Sequence, residues 1–222
     1  MLTEVMTEPQ RPRAPRLPAA ERRIQILDVA IQEFARDGYA ATGTADIASA
    51  AGIGEPTIYR YFDSKHDLYL AALRRSSDEV MENWRRIAAE NSDPVSALLL
   101  IGTWYHQTLQ RKPEILKLRA RSMAEDPTLG AELGKQAYLE LWEFIEGLFR
   151  RARDEGRIAE YSDVRTLTWL FMAIGALLDL TQEVGLEDEF TAGDLVNVSR
   201  AVLYGRVLIS PQEGSTVTQH DT

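Results

Sequence analysis

Apolar residues along this chain recur three and four positions apart and nowhere alternate two by two, so it can bury a core only by packing helices against one another. Ile24, Leu27, Ile31 and Phe34 form one such face from Ala19 onward, with Gly38 placed to end the helix. Leu68, Leu73, Val80, Trp84 and Ile87 line a longer helix over 65–90, opened by Ser64 and Asp67 in the manner of a capping box. Asp93-Pro94, Lys112-Pro113 and Asp126-Pro127 put proline in a first helical turn, where its missing N–H does no harm. They predict helices over 94–110, 113–124 and 127–154, the last closed by Gly156. Two more are expected over 163–184 and 191–208, the second capped by Thr191 and Asp194. Residues 210–222 are polar and are expected to fray.

The helix over 163–184 is apolar around more than one face. Leu167, Leu170, Phe171, Ile174, Leu177 and Leu178 surround the small residues Ala173, Gly175 and Ala176. Such a helix buries two sides, its own core and a partner subunit. The run Leu167–Leu178 stops at Asp179, short of the ~20 residues of a membrane span, and no secretory signal precedes it. The chain has no cysteine, which excludes disulfides, thiolate metal sites and a cysteine nucleophile and fits a cytoplasmic protein.

The net charge of −9 argues against a polyanionic partner until its distribution is considered. Residues 1–75 hold ten Lys and Arg against ten Asp and Glu, so all of the excess acid lies beyond them. Residues 1–18 alternate proline (Pro9, Pro12, Pro15, Pro18) with arginine (Arg11, Arg13, Arg16). They form a basic arm, either merely solvated or touching phosphates and a minor groove.

The segment 42–65 carries the function. Two short helices, 44–51 and 56–62, flank the glycine turn Gly52-Ile53 behind the helix that starts at Ala19; this is the pattern of a helix-turn-helix. Ile47, Ala48 and Ala51 face inward from the first, Ile58 and Phe62 from the second. Thr57 and Tyr61 stand outward with Glu55, Pro56 and Tyr59 nearby, although the two tyrosines have a core-facing alternative. Thr and Pro can pack on thymine methyls, Glu can accept from cytosine N4, and Tyr can reach phosphates. Lys65, with the free N–H groups of the next helix, can hold a phosphate.

The run Asp46-Ile47-Ala48, Ala51-Gly52, Thr57-Ile58-Tyr59, Tyr61-Phe62 and Ser64-Lys65 resembles the N-terminal domain of TetR-family transcriptional regulators over about residues 20–70. The resemblance implies an all-α homodimer, with a three-helix helix-turn-helix domain (19–65) and a helical ligand-binding and dimerisation domain (66–209). It implies double-stranded palindromic operator DNA as partner and, in most members, release by a small molecule. Thr44, Glu55, Pro56, Thr57, Tyr59, Tyr61 and Lys65 match its DNA-meeting positions. Ala45 and Glu55 depart from the cationic residues common there.

For an effector, Trp104, His106, Arg119, Met123, Tyr138, Trp142, Trp169 and Met172 are the candidates, since apolar and aromatic walls with a few polar groups make a small-molecule site. Plain core packing is the alternative for each. The three histidines have no metal spacing. No nucleophile motif, phosphate loop or paired-carboxylate motif supports an enzyme, and no cofactor is expected. A regulator that senses nothing and a helical adaptor remain as rival readings.

Overall fold

The computed structural model of the chain describes residues 17–124 and 131–186 with Glu189, Asp194, Asn197 and Val198, and gives the backbone alone at 123, 124, 131, 132, 182 and 183. Among these residues it is all helix: α1 (Ala19–Ala41), α2 (Thr44–Ala50), α3 (Glu55–Ile58), α4 (Lys65–Glu90), α5 (Pro94–Arg111), α6 (Pro113–Ala124), α7 (Ala131–Asp154) and α8 (Val164–Glu183). The arm before residue 17, the turn at Pro127, the tail and most of the helix expected over 191–208 lie outside the described residues.

Local chemistry sets the boundaries. Ser64 caps α4, its Oγ accepting from the Asp67 N–H at 3.0 Å. Asp93 caps α5 through the Ser96 N–H at 3.1 Å, and Asp163 opens α8 by accepting from the Arg165 N–H. Gly38 takes φ 81° inside the span of α1. The break falls where a stop was expected, and a short turn to Ala41 follows it. At the end of α2, Gly52 has φ +65° and the Ile53 N–H reaches back to the Ala48 carbonyl at 2.9 Å. Only the left-handed backbone at Gly52 permits that closure at no steric cost.

One helix differs from expectation. α3 ends at Ile58 rather than Phe62. The chain continues in tighter turns, with the Arg60 N–H on the Thr57 carbonyl at 3.2 Å and the Tyr61 N–H on that of Ile58 at 2.9 Å. Ser64 must cap α4 two residues beyond Phe62, which leaves no length for a further α-turn. Phe62 still keeps an α-type bond to Ile58 at 3.0 Å and is buried beside it.

Two hydrophobic cores result. The first joins Ile26, Leu27, Ala30, Ile31 and Phe34 of α1 to Ile47, Ile58, Phe62, the first half of α4 (Leu68, Tyr69, Leu73) and Leu118 of α6. Ile24 precedes the first buried turn and is exposed. The second gathers the far half of α4 (Val80, Trp84, Ile87) with Leu98, Ile101, Leu116, Leu141, Ile145 and Phe149. α4 therefore spans both cores, and α6 enters both.

α8 packs its Val164, Thr168, Leu178 and Thr181 inward and leaves Leu170, Leu180, Trp169 at 59% and Leu177 at 50% exposed. Its residues Val164–Thr181, of mean hydropathy 1.4, are long and apolar enough by length and composition to cross a membrane. The shorter estimate from Leu167–Leu178 left out both ends of the helix, where Arg165 and the lone acid Asp179 still leave the average apolar.

Candidate functional site

The outward side of the helix-turn-helix is built around a buried hydroxyl. Thr44, at the start of α2, is 8% exposed, and its Oγ1 lies 2.6 Å from Glu55 Oε1 and 3.0 Å from the Tyr59 hydroxyl. A carboxylate only accepts, so the Thr44 proton goes to Glu55 and the Tyr59 phenol donates to Thr44. Three residues expected to meet DNA thus bond first to one another. Glu55 has one oxygen committed, and Tyr59, 49% exposed, is held by its hydroxyl at a fixed angle to α3.

Around this network Pro56 and Arg60 are exposed and Thr57 is half-buried. Tyr61 is half-buried and packs on the first core, so it lies partly in the core-facing alternative. Arg60 is absent from the sequence expectation. Its signal was available: it lies three and four positions after Thr57 and Pro56, on the same side of the turn. Arg23 of α1 lies over the Phe62 ring at 4.9 Å. Lys65 places its ammonium over the Tyr39 ring at 4.4 Å. Tyr39 in turn packs edge-on against Tyr69 at 5.0 Å, and Tyr69 against Phe34 at 5.1 Å. This aromatic group fastens the start of α4 to α1.

The second feature is a cavity of about 510 Å³ among α4–α8, whose wall includes Trp84, Tyr105, Leu116, Arg119, Tyr138, Phe171, Met172 and Asp179. That volume suits a drug-sized ligand. Of the expected effector residues, Arg119, Tyr138 and Met172 are on the wall. Trp104, His106, Trp142 and Trp169 are not, and the Met123 side chain lies outside those described. Helical phase explains the difference. On α5 it is Ile101, Gly102 and Tyr105 that face the cavity, so Trp104 packs on the second core and His106 is buried. Trp142 gives its indole N–H to Glu146 at 3.2 Å and meets Trp169 edge-on at 5.3 Å. Gly175, expected at a subunit interface, lines the cavity instead, with space for a Cβ 3.8 Å from Tyr105.

Polar groups from four helices enter this apolar space. The Tyr105 hydroxyl donates to Asp179, 2.8 Å from each carboxylate oxygen. Burial first, then the Asp179 charge, pushes the Tyr105 phenol well above its ordinary pKa, and Arg119 opposes the rise. Burial likewise raises Tyr138, again against Arg119. Both phenols are therefore neutral donors near neutral pH. Among the described residues no group of His, Asp and Glu is arranged to hold a metal ion.

Comparison with known proteins relates these features to known regulators. Residues 26–72 match the profile of bacterial regulatory proteins, tetR family. The chain is 41% identical over 81 residues to the HTH-type transcriptional activator FasR of Mycolicibacterium smegmatis, covering 36% of this chain and 37% of that one. It therefore spans little more than a third of FasR's length. It is 27% identical over 186 residues to the HTH-type transcriptional repressor KstR of Mycobacterium tuberculosis, covering 78% and 82%. The fold matches that of the transcriptional regulator FadR from Bacillus subtilis in complex with stearoyl-CoA, with a TM-score of 0.65 at 22% identity over 81% of this chain and 95% of that one. The helix-turn-helix and the start of α4 thus match the tetR family of bacterial regulatory proteins, and the helices beyond them share the fold of the B. subtilis regulator.

Proposed function

We propose that this chain is a homodimeric, sequence-specific repressor that leaves a palindromic operator when a small, mostly apolar molecule fills the cavity among α4–α8. The observation that carries the reading is the division of α3 and the turns after it. Ile58 and Phe62 are buried, while Pro56, Tyr59 and Arg60 stand exposed on a head braced by the Thr44–Glu55–Tyr59 bonds. A head so shaped fits a major groove, and a two-fold pair of heads reads half-sites one helical turn, ~34–36 Å, apart. The exposed apolar stripe of α8 supports pairing with a second copy. Trp169, Leu170, Ala173, Leu177 and Leu180 follow helical spacing along it, and an obligate interface of roughly 2,000 Å² or more would cover it. A chromosomal operator sets the place of work in the cytoplasm.

An effector with a long apolar chain is supported by the largely apolar lining and by the stearoyl-CoA bound to the B. subtilis relative. Glu55 and Ala45 leave the head short of cations, and Arg60, Arg22 and Arg23 supply part of the phosphate contact. The test is a mobility-shift titration of the full chain on the DNA upstream of its own gene, repeated with apolar compounds. A retarded band that competitor DNA removes, and that a ligand releases, is the expected result. Binding with no sequence preference would reject the repressor reading, and binding that no compound releases would favour a regulator without a sensor.

A further inference from the structure

The cavity wall carries more hydrogen-bond donors than the protein satisfies. Arg119 is half-buried on α6 and lines the same space. Its guanidinium has no ion pair or hydrogen bond among the described residues, whereas the neighbouring wall residues Arg121 and Asp179 both have partners. The Tyr138 phenol, neutral for the reason given above, is a further donor on the wall. A cation in an apolar wall is unfavourable until something neutralises it. A purely hydrocarbon guest would expel water from the Arg119 guanidinium and leave it unmatched.

We propose that the effector is an amphipathic anion whose carboxylate or phosphate is held by Arg119, with Tyr138 donating to its oxygens or to an acceptor further along the molecule. Its apolar body lies along Leu116, Phe171 and Met172. This assignment rests on the reading of the cavity as an effector site.

The test uses the full chain and three probes of one chain length: dodecanoate, dodecanol and dodecanoyl-CoA, followed by intrinsic tryptophan fluorescence and calorimetry. Dodecanoate is expected to bind at least tenfold more tightly than dodecanol. Arg119→Met should remove that preference by weakening dodecanoate while leaving dodecanol unchanged, which also reports an intact fold. Arg119→Lys should keep part of the preference. Dodecanoyl-CoA bound more tightly than dodecanoate and lost in Arg119→Met would identify the anion as a phosphate rather than a free carboxylate. Equal binding of dodecanoate and dodecanol, or an Arg119→Met variant with the preference intact, overturns the anion assignment and leaves the effector reading standing. Failure of all three probes to bind overturns both.

Discussion

Leu116 and Leu118, two residues apart on α6, belong to different hydrophobic cores. Leu116 is buried in the second core and on the cavity wall, and Leu118 is buried in the core of the DNA-reading head. Residues at i and i+2 point to nearly opposite sides of a helix, so α6 is a wedge between the two. The Ser76 hydroxyl of α4 donates to the Ile115 carbonyl of the same helix, tying α4 to the wedge. A guest that pushes on Leu116 or Arg119 is expected to move Leu118 with them.

Leu118→Ala is therefore expected to act twice. Truncation in a packed core destabilises by about 2–5 kcal/mol, read by urea denaturation. It also leaves the wedge loose in the head, so the effect of ligand on operator affinity should fall below the ~1–3 kcal/mol typical of such coupling. Operator binding titrated with and without ligand checks this; an unchanged ratio would mean that α6 does not transmit.

Thr44→Val should weaken operator binding several-fold to tenfold and cost about 1–3 kcal/mol of stability. The substitution removes both hydrogen bonds that orient Glu55 and Tyr59, each worth about 0.5–1.5 kcal/mol net. Tyr59→Phe, which removes only one of them, should show the smaller effect. Fluorescence anisotropy on a labelled operator measures both, and a Thr44→Val protein of parental affinity would show that DNA itself orients these side chains.

Lys65→Ala should lower the salt slope of operator binding by about one and weaken all sequences alike. Tyr39→Leu should weaken binding less, because it removes the ring that positions the ammonium and keeps the charge. A salt titration of the two variants on operator and on unrelated DNA distinguishes them.

Leu177→Glu places a carboxylate in the exposed stripe of α8 without entering the cavity. It is expected to shift sedimentation from dimer to monomer and to abolish operator binding, while circular dichroism stays helical. A dimer that survives this substitution at micromolar concentration would place the interface elsewhere.

Asp93 offers a pH test of capping. Hydrogen bonds from Ser96, with a smaller contribution from Arg157, hold its carboxyl below the usual carboxylate pKa. A depressed folded pKa stabilises the protein above the unfolded pKa, and the stabilisation is lost as pH falls through the folded value. Asp93→Asn should thus cost stability at pH 7, chiefly through the Arg157 pair, since Asn also caps. The difference from the parent should shrink toward zero as the pH is taken below the ordinary aspartate range. Thermal melts across that interval check the sign.

Much of this molecule was legible where a residue acts on its own neighbours. Ser64 and the prolines at 94 and 113 put the starts of α4, α5 and α6 at the observed residues, because capping and missing N–H groups are local chemistry. The inward Ile58 and Phe62 pair followed from spacing alone. The cavity was less legible. Trp104 and Tyr105 are adjacent in sequence, and which of them faces the cavity depends on how α5 is rotated against α4, α7 and α8, a property of packing rather than pattern. The Tyr105–Asp179 bond joins residues 74 positions apart and the Thr44–Glu55 bond residues 11 apart. Neither partner carries a sign of the other. Thr44 was expected at the DNA for its position, and its burial under Glu55 and Tyr59 became visible only once α2 and α3 were set side by side.

Gly102 sits in the middle of α5 and on the cavity wall, and a Cβ built there would meet nothing within 4 Å. Alanine at that position would be free of clashes and would favour the helix by roughly 0.5–1 kcal/mol. The glycine is thus a stability concession located where it enlarges the cavity, an exchange of robustness for space that the proposed effector role would explain. A series of growing side chains at this one position would make a ruler. Each methylene added beyond alanine would shorten the longest guest admitted, so the size limit of the cavity can be reset from one position remote from the helix-turn-helix.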